Sequence, residues 1–147
     1  MAFRFALAPL LRLRQSIERQ RTLKLQEANL QLFRAQEELA RLERSLDESA
    51  QSDAAALVAG RMAAEIQFAL VLRENLERFR QELQSDIRKL ELARQEAVRE
   101  YHQAYREREV LETLRARQRR DYQQEQLRRQ QKELDATYLL QRWHHRN

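Results

Sequence analysis

Leucine and alanine recur at alternating spacings of three and four through Leu25, Ala28, Leu32, Ala35, Leu39, Leu42 and Leu46, with charged and amide side chains between them. The alternation averages about 3.5 residues, the period that keeps one apolar stripe of an α-helix turned toward a partner helix in a coiled coil. Upstream, Leu10, Leu13, Ile17, Arg21 and Leu25 follow at three, four, four and four, a stutter that predicts local unwinding near Arg21. A second stripe runs through Ile66, Ala69, Leu72, Leu76, Phe79, Leu83, Ile87, Leu90, Ala97, Tyr101, Ala104 and Leu111. Arg94 and Arg108 stand in it where an apolar residue is due. Their long stems are expected to lie outward across the seam with the guanidinium heads in water.

Between the stripes, the segment from Asp47 to Gly60 is rich in small polar residues and alanine and holds the only glycine, so the chain is expected to reverse there. Pro9 suits the first turn of a helix, where its missing amide proton has no partner to lose. The pattern predicts helix 1 over about 9–49, a turn over about 50–61 and helix 2 over about 62–141. Because the connection is short, the arms must pair antiparallel. The expected fold is a single all-α domain, an antiparallel coiled-coil hairpin whose second helix overhangs at the end where the termini meet. Roughly 30 residues of that helix would then lack an intramolecular partner. Leu25, Leu32, Leu39, Leu42 and Leu46 on the first arm and Leu76, Phe79, Leu83, Ile87 and Leu90 on the second are the expected seam.

Composition narrows the alternatives. One glycine and one proline in 147 residues leave little material for turns, and 7% aromatic residues cannot fill a wide core. Glutamine, glutamate, arginine, leucine and alanine dominate, all good helix formers, so a sheet is not expected. No cysteine is present, which excludes thiolate metal sites, disulfides and a cysteine nucleophile and fits a reducing compartment. The apolar opening is interrupted by Arg4 and closed by Arg12 and Arg14, and is neither a membrane span nor a signal peptide in pattern. A cytoplasmic protein is expected.

Catalytic chemistry finds little footing. A single glycine cannot build a glycine-rich phosphate loop. The carboxylate pairs Glu37-Glu38 and Asp47-Glu48 have arginines within a turn and no apolar setting to raise a pKa. His144 and His145 are adjacent and point about 100° apart on a helix, a poor grip for one metal ion. No catalytic residue, cofactor, metal or small-molecule ligand is expected.

Charge divides the chain instead. Residues 1–60 carry 9 Lys/Arg against 8 Asp/Glu, residues 61–110 carry 10 against 10, and residues 111–147 carry 9 against 5. Nearly all of the net +5 therefore sits on the overhang, whose expected targets are acidic surfaces. Asp121, Glu125 and Glu133 interrupt its arginines and Tyr122 alone offers a stacking face, so a protein partner is favoured over nucleic acid. At the far end, Tyr138, Leu139, Leu140 and Trp143 form an apolar group that either folds back on Phe3, Phe5 and Leu7 or anchors a partner.

The opening run from Phe3 to Arg14, the later Glu112-Thr113-Leu114-Arg115-Ala116-Arg117 and the segment from Gln131 to Asp135 resemble the flagellar export protein FliJ family. Ala136 stands where that family commonly has a glutamate. The resemblance implies a non-enzymatic stalk of the flagellar type III export apparatus, at the cytoplasmic face of the membrane, serving flagellum assembly and motility. Its implied partners are the hexameric export ATPase, whose ring it enters and stimulates, a membrane protein of the export gate, and export chaperones. Combined with the basic overhang, it points to Leu10, Leu13, Arg14, Arg117, Arg119, Arg120, Arg128 and Arg129 as the ATPase contact. A nucleic-acid-binding helical arm and a purely structural rod are the competing functions. A hairpin stalk is expected to be monomeric when free.

Overall fold

A computed structural model describes residues 2–146. The described residues form two helices, α1 (Ala8–Ala59) and α2 (Ala63–His144), and no strand. They divide into two compact units, one comprising residues up to Arg19 with those from Gln103 onward, the other Gln20–His102. In each unit a stretch of α1 packs on a stretch of α2.

α1 continues through 50–59, where the turn was expected, and the reversal is confined to Gly60, Arg61 and Met62. The alanine run 54–56 supplies helix propensity enough to extend the arm. Termination falls to Gly60, whose φ of 75° is a left-handed conformation that other residues adopt at a cost. Beyond it the Arg61 amide donates to the Ala56 carbonyl at 3.3 Å, a link that closes the last turn of α1. At the start of α2 the Met62 carbonyl accepts from the amides of Glu65 and Ile66, and Glu65 places a negative charge at the positive end of the helix. Pro9 sits in the first turn of α1 as expected.

Within the Gln20–His102 unit, Leu42, Leu46 and Leu83 are buried together, with Ala35, Leu39, Leu76 and Ile87 against them. Partner numbers run in opposite senses: Asp53 meets Arg73, Glu43 meets Arg80 and Arg21 meets Glu100. The strands of the seam are therefore antiparallel. The α2 residues drawn away from solvent include Ile66, Ala69, Arg73, Leu76, Arg80, Leu83, Ile87, Leu90, Arg94, Ala97 and Tyr101, an unbroken alternation of three and four. Leu72 and Phe79 lie one residue off this frame, and Phe79, assigned to the seam from the sequence, is 44% exposed. Both frames share Leu76 and Leu83. The facing acids Asp53 and Glu43 select the frame that brings Arg73 and Arg80 inward.

In the other unit, Phe5, Leu11 and Leu111 form the core, with Phe3, Ala8 and Leu114 packed on it. Leu11 is 3% exposed while Leu13 is 54% exposed, so the expected register Leu10–Leu13–Ile17 is displaced by one residue. Leu11, Arg14, Glu18, Arg21 and Leu25 restore strict alternation along α1, and the expected stutter is not needed. The apolar frame misled because Arg14 and Glu18 are seam residues made tolerable by opposite charges on α2.

Leu83 is the most enclosed leucine of the α2 run from Ile66 to Tyr101, and Leu83→Ala is expected to lower unfolding free energy by about 2 kcal/mol, measured by urea titration, with the helical circular-dichroism signal of the folded state retained.

Candidate protein interface

In the unit that pairs residues up to Arg19 with those from Gln103 onward, charged and amide side chains bridge the two helices. Arg14 Nη1 donates to Glu107 Oε2 at 2.5 Å, and Gln15 Nε2 donates to Glu112 Oε1 at 3.4 Å. Arg108 is the hub of this unit. Its guanidinium meets Glu18 across the seam, Glu112 at 2.6 Å and Glu109 at 3.5 Å, and stands 5.0 Å over the Tyr105 ring. Burial works against its charge, but the hydrogen bond to Glu18 and the charges of Glu18, Glu112 and Glu109 outweigh it and raise its pKa above the usual arginine value. Arg108 thus turns inward to an acid, where an outward-lying stem was expected.

In the Gln20–His102 unit, Lys24 Nζ and Arg21 Nη1 donate to the same Glu100 oxygen at 2.9 and 3.1 Å. The Lys24 hydrogen bond, supported by the charges of Lys24 and Arg21, lowers the Glu100 pKa against the opposing effect of burial. Arg94 faces no α1 acid and folds back to Glu91 at 2.6 Å, a hydrogen bond that lowers the Glu91 pKa and raises that of Arg94.

The residues singled out as a partner contact lie in one unit but not on one face. Leu10 and Leu13 are exposed, turned away from the Leu11–Leu111 core. Arg14 is half-buried and engaged with Glu107. Arg119 follows Glu112 by seven residues and shares its flank of α2, the side on which Gln15 meets Glu112, whereas Leu10 and Leu13 fall on the other flank of α1. Arg117, Arg119 and Arg120 are exposed and, among the described residues, form no ion pair. Arg128 and Arg129 are exposed but share Glu125, at 3.0 and 3.4 Å. Past Tyr122, on whose ring Phe3 packs at 5.7 Å between centroids, α2 has no α1 residue opposite it in this unit.

Two features were not read from the sequence. Arg73 and Arg80 are seam positions, which strict three–four counting from Leu111 back to Ile66 would have revealed, and they and Arg108, which the expected stripe already held, meet Asp53, Glu43 and Glu18. Near the turn, Val58, Met62, Phe68, Val71, Leu72 and Phe79 are exposed apolar side chains, of which only Leu72 and Phe79 belong to the expected second stripe. Among the described residues, no group of three His, Cys, Asp or Glu side chains is placed to hold a metal ion, and no helix is long and apolar enough to cross a membrane.

Comparison with known families gives one match: the family model described as "Flagellar FliJ protein" covers residues 3–147. No curated protein and no solved structure matches the chain.

The lowered pKa of Glu100 means that its contribution to stability is complete above the usual carboxylate range and is lost as the pH falls through and below that range. Thermal midpoints of the native protein and Glu100→Gln are therefore expected to differ at neutral pH and to converge in acid. For the hub, Arg108→Leu is expected to cost about 1–2 kcal/mol by leaving Glu18 beside an apolar side chain, and Glu18→Leu added to it should recover most of the loss in a double-mutant cycle.

Proposed function

Because the chain belongs to the flagellar FliJ family, whose members serve the flagellar export apparatus, we propose that it is a non-enzymatic stalk that enters the hexameric export ATPase ring and stimulates it. Export takes place at the flagellar base, which accords with a cytoplasmic protein acting beside the membrane. The observation that carries the reading is the bare basic stretch of α2 from Arg115 to Arg129, helical throughout and exposed except at Tyr122, Glu125 and Gln126. An isolated polar helix of this length gains little from its own hydrogen bonds and is stabilised chiefly by what it packs against.

Arg117, Arg119 and Arg120 are the first choice for the ring contact, since their guanidinium groups need not abandon an internal carboxylate on binding. Arg128 and Arg129 would exchange Glu125 for a partner acid, and Leu10 and Leu13 would add apolar contact on the opposite flank. Arg14 contributes indirectly by holding Glu107 and so the pairing of the helices from which the contact projects. The apolar surface near the turn is the natural face for the export gate and for export chaperones. The protein acts as a monomer between these partners.

Replacing Arg117, Arg119 and Arg120 together by glutamine is expected to lower co-precipitation of the export ATPase at least tenfold and to abolish stimulation of its ATP hydrolysis, with native helicity unchanged. Undiminished binding and stimulation would refute the assignment.

A further inference from the structure

After Asp135 the chain carries no acidic residue, and α2 stays helical to His144. Leu139 and Trp143 are 63% and 62% exposed in this stretch. They do not fold back on the N-terminal segment, because Phe3 is engaged with Tyr122 and Phe5 with Leu11 and Leu111. At about 100° per residue, Ala136, Leu139, Leu140 and Trp143 fall within an arc of roughly 100°, a continuous apolar face.

The direction of that face is fixed by register. Counting on from Leu111 by alternate fours and threes reaches Tyr122 and then Ala136, Leu139 and Trp143. Within this unit the arc therefore continues the side of α2 that receives Leu11 and Phe3. We propose that the Ala136–Leu139–Trp143 face is a docking surface for an amphipathic helix with acidic flanks, supplied by another protein, which packs on α2 in the register that the N-terminal segment uses as far as Tyr122.

Continuity with the intramolecular seam selects a helix, since a heptad face presents holes of the size and spacing that a second helix fills. Charge selects acidic flanks. Arg142 and Arg146 border the arc on one side, and Lys132 and Arg129 stand within it one and two turns upstream of Ala136. The same charges disfavour a second copy of this stretch, which would oppose arginine to arginine. Arg129 aside, the surface lies C-terminal to the arginines assigned to the ATPase ring, and its test uses no ATPase and leaves Arg129 in place, so either assignment can fail without the other.

Trp143 is the only tryptophan and reports directly on this face. The full chain would be titrated with a four-heptad helical peptide bearing leucine at the seam positions and glutamate on both flanks, and with the same peptide bearing lysine flanks. Both peptides repel their own copies, so the comparison isolates flank charge. The expected result is a blue shift of Trp143 emission with the glutamate peptide, at least tenfold tighter than with the lysine peptide and weakened by salt. Leu139→Glu, at an exposed position, should reduce that binding tenfold or more with unchanged far-ultraviolet circular dichroism. Equal response to the two peptides, or response to neither, would overturn the proposal. So would a Trp143 shift produced only by phosphatidylglycerol vesicles, which would assign a membrane surface, or one that appears with protein concentration alone, which would assign self-association.

Discussion

A seam between two helices is only two side chains wide, and every residue placed in it must find on the facing helix something of its own kind. Leucine meets leucine at Leu42, Leu46 and Leu83, and burial of apolar surface stabilises the pairing without further geometry. An arginine in the same row needs a carboxylate within reach, and Arg73, Arg80 and Arg108 have Asp53, Glu43 and Glu18. Arg94 satisfies itself on its own helix through Glu91. The apolar pairs supply most of the driving force, and the charged pairs set which residue faces which. A slip of one residue would separate them and leave charge against leucine.

That division of labour matters for a protein whose work is contact. A narrow seam buries few residues, so most large apolar side chains remain on the outside, from Val58 and Phe68 near the turn to Leu139 and Trp143 near the other end of α2. On an ordinary globular domain such exposure would be an aggregation hazard. Here it is separated into distinct surfaces by dense charge of both signs, which keeps each surface available to a partner. The basic excess confined to residues 111–147 gives one of them an electrostatic preference that the charge-balanced remainder lacks.

Arg117, Arg119 and Arg120 differ from Arg128 and Arg129 in one physical respect. Among the described residues the first three pair with no carboxylate, whereas the other two share Glu125. Exposed ion pairs are weak, so this difference governs how readily each cation is transferred to a partner acid more than how stable the helix is. The half-buried Arg14 and Arg108 belong to the seam by the same reasoning, since displacing their acids would loosen the helix pair itself.

Composition and periodicity sufficed for the class of fold, the antiparallel pairing and the basic bare stretch of α2, because one glycine and two long three–four stripes admit few other arrangements, while the family was legible in the opening run from Phe3 to Arg14 and the two later motifs. Leu32, Leu42, Leu46 and Leu83 were legible as core for the same reason. Register was not. Leu13 and Arg14, or Phe79 and Arg80, are neighbours in sequence, and hydrophobicity ranked them wrongly because it values each residue alone. Only the facing helix, by setting Glu43 opposite Arg80 and Leu111 opposite Leu11, decides which neighbour turns inward. It likewise decided that Trp143 faces solvent instead of Phe3, since Tyr122 had already claimed that ring. A pattern along one chain specifies that a stripe exists, but its exact column is a property of the pair.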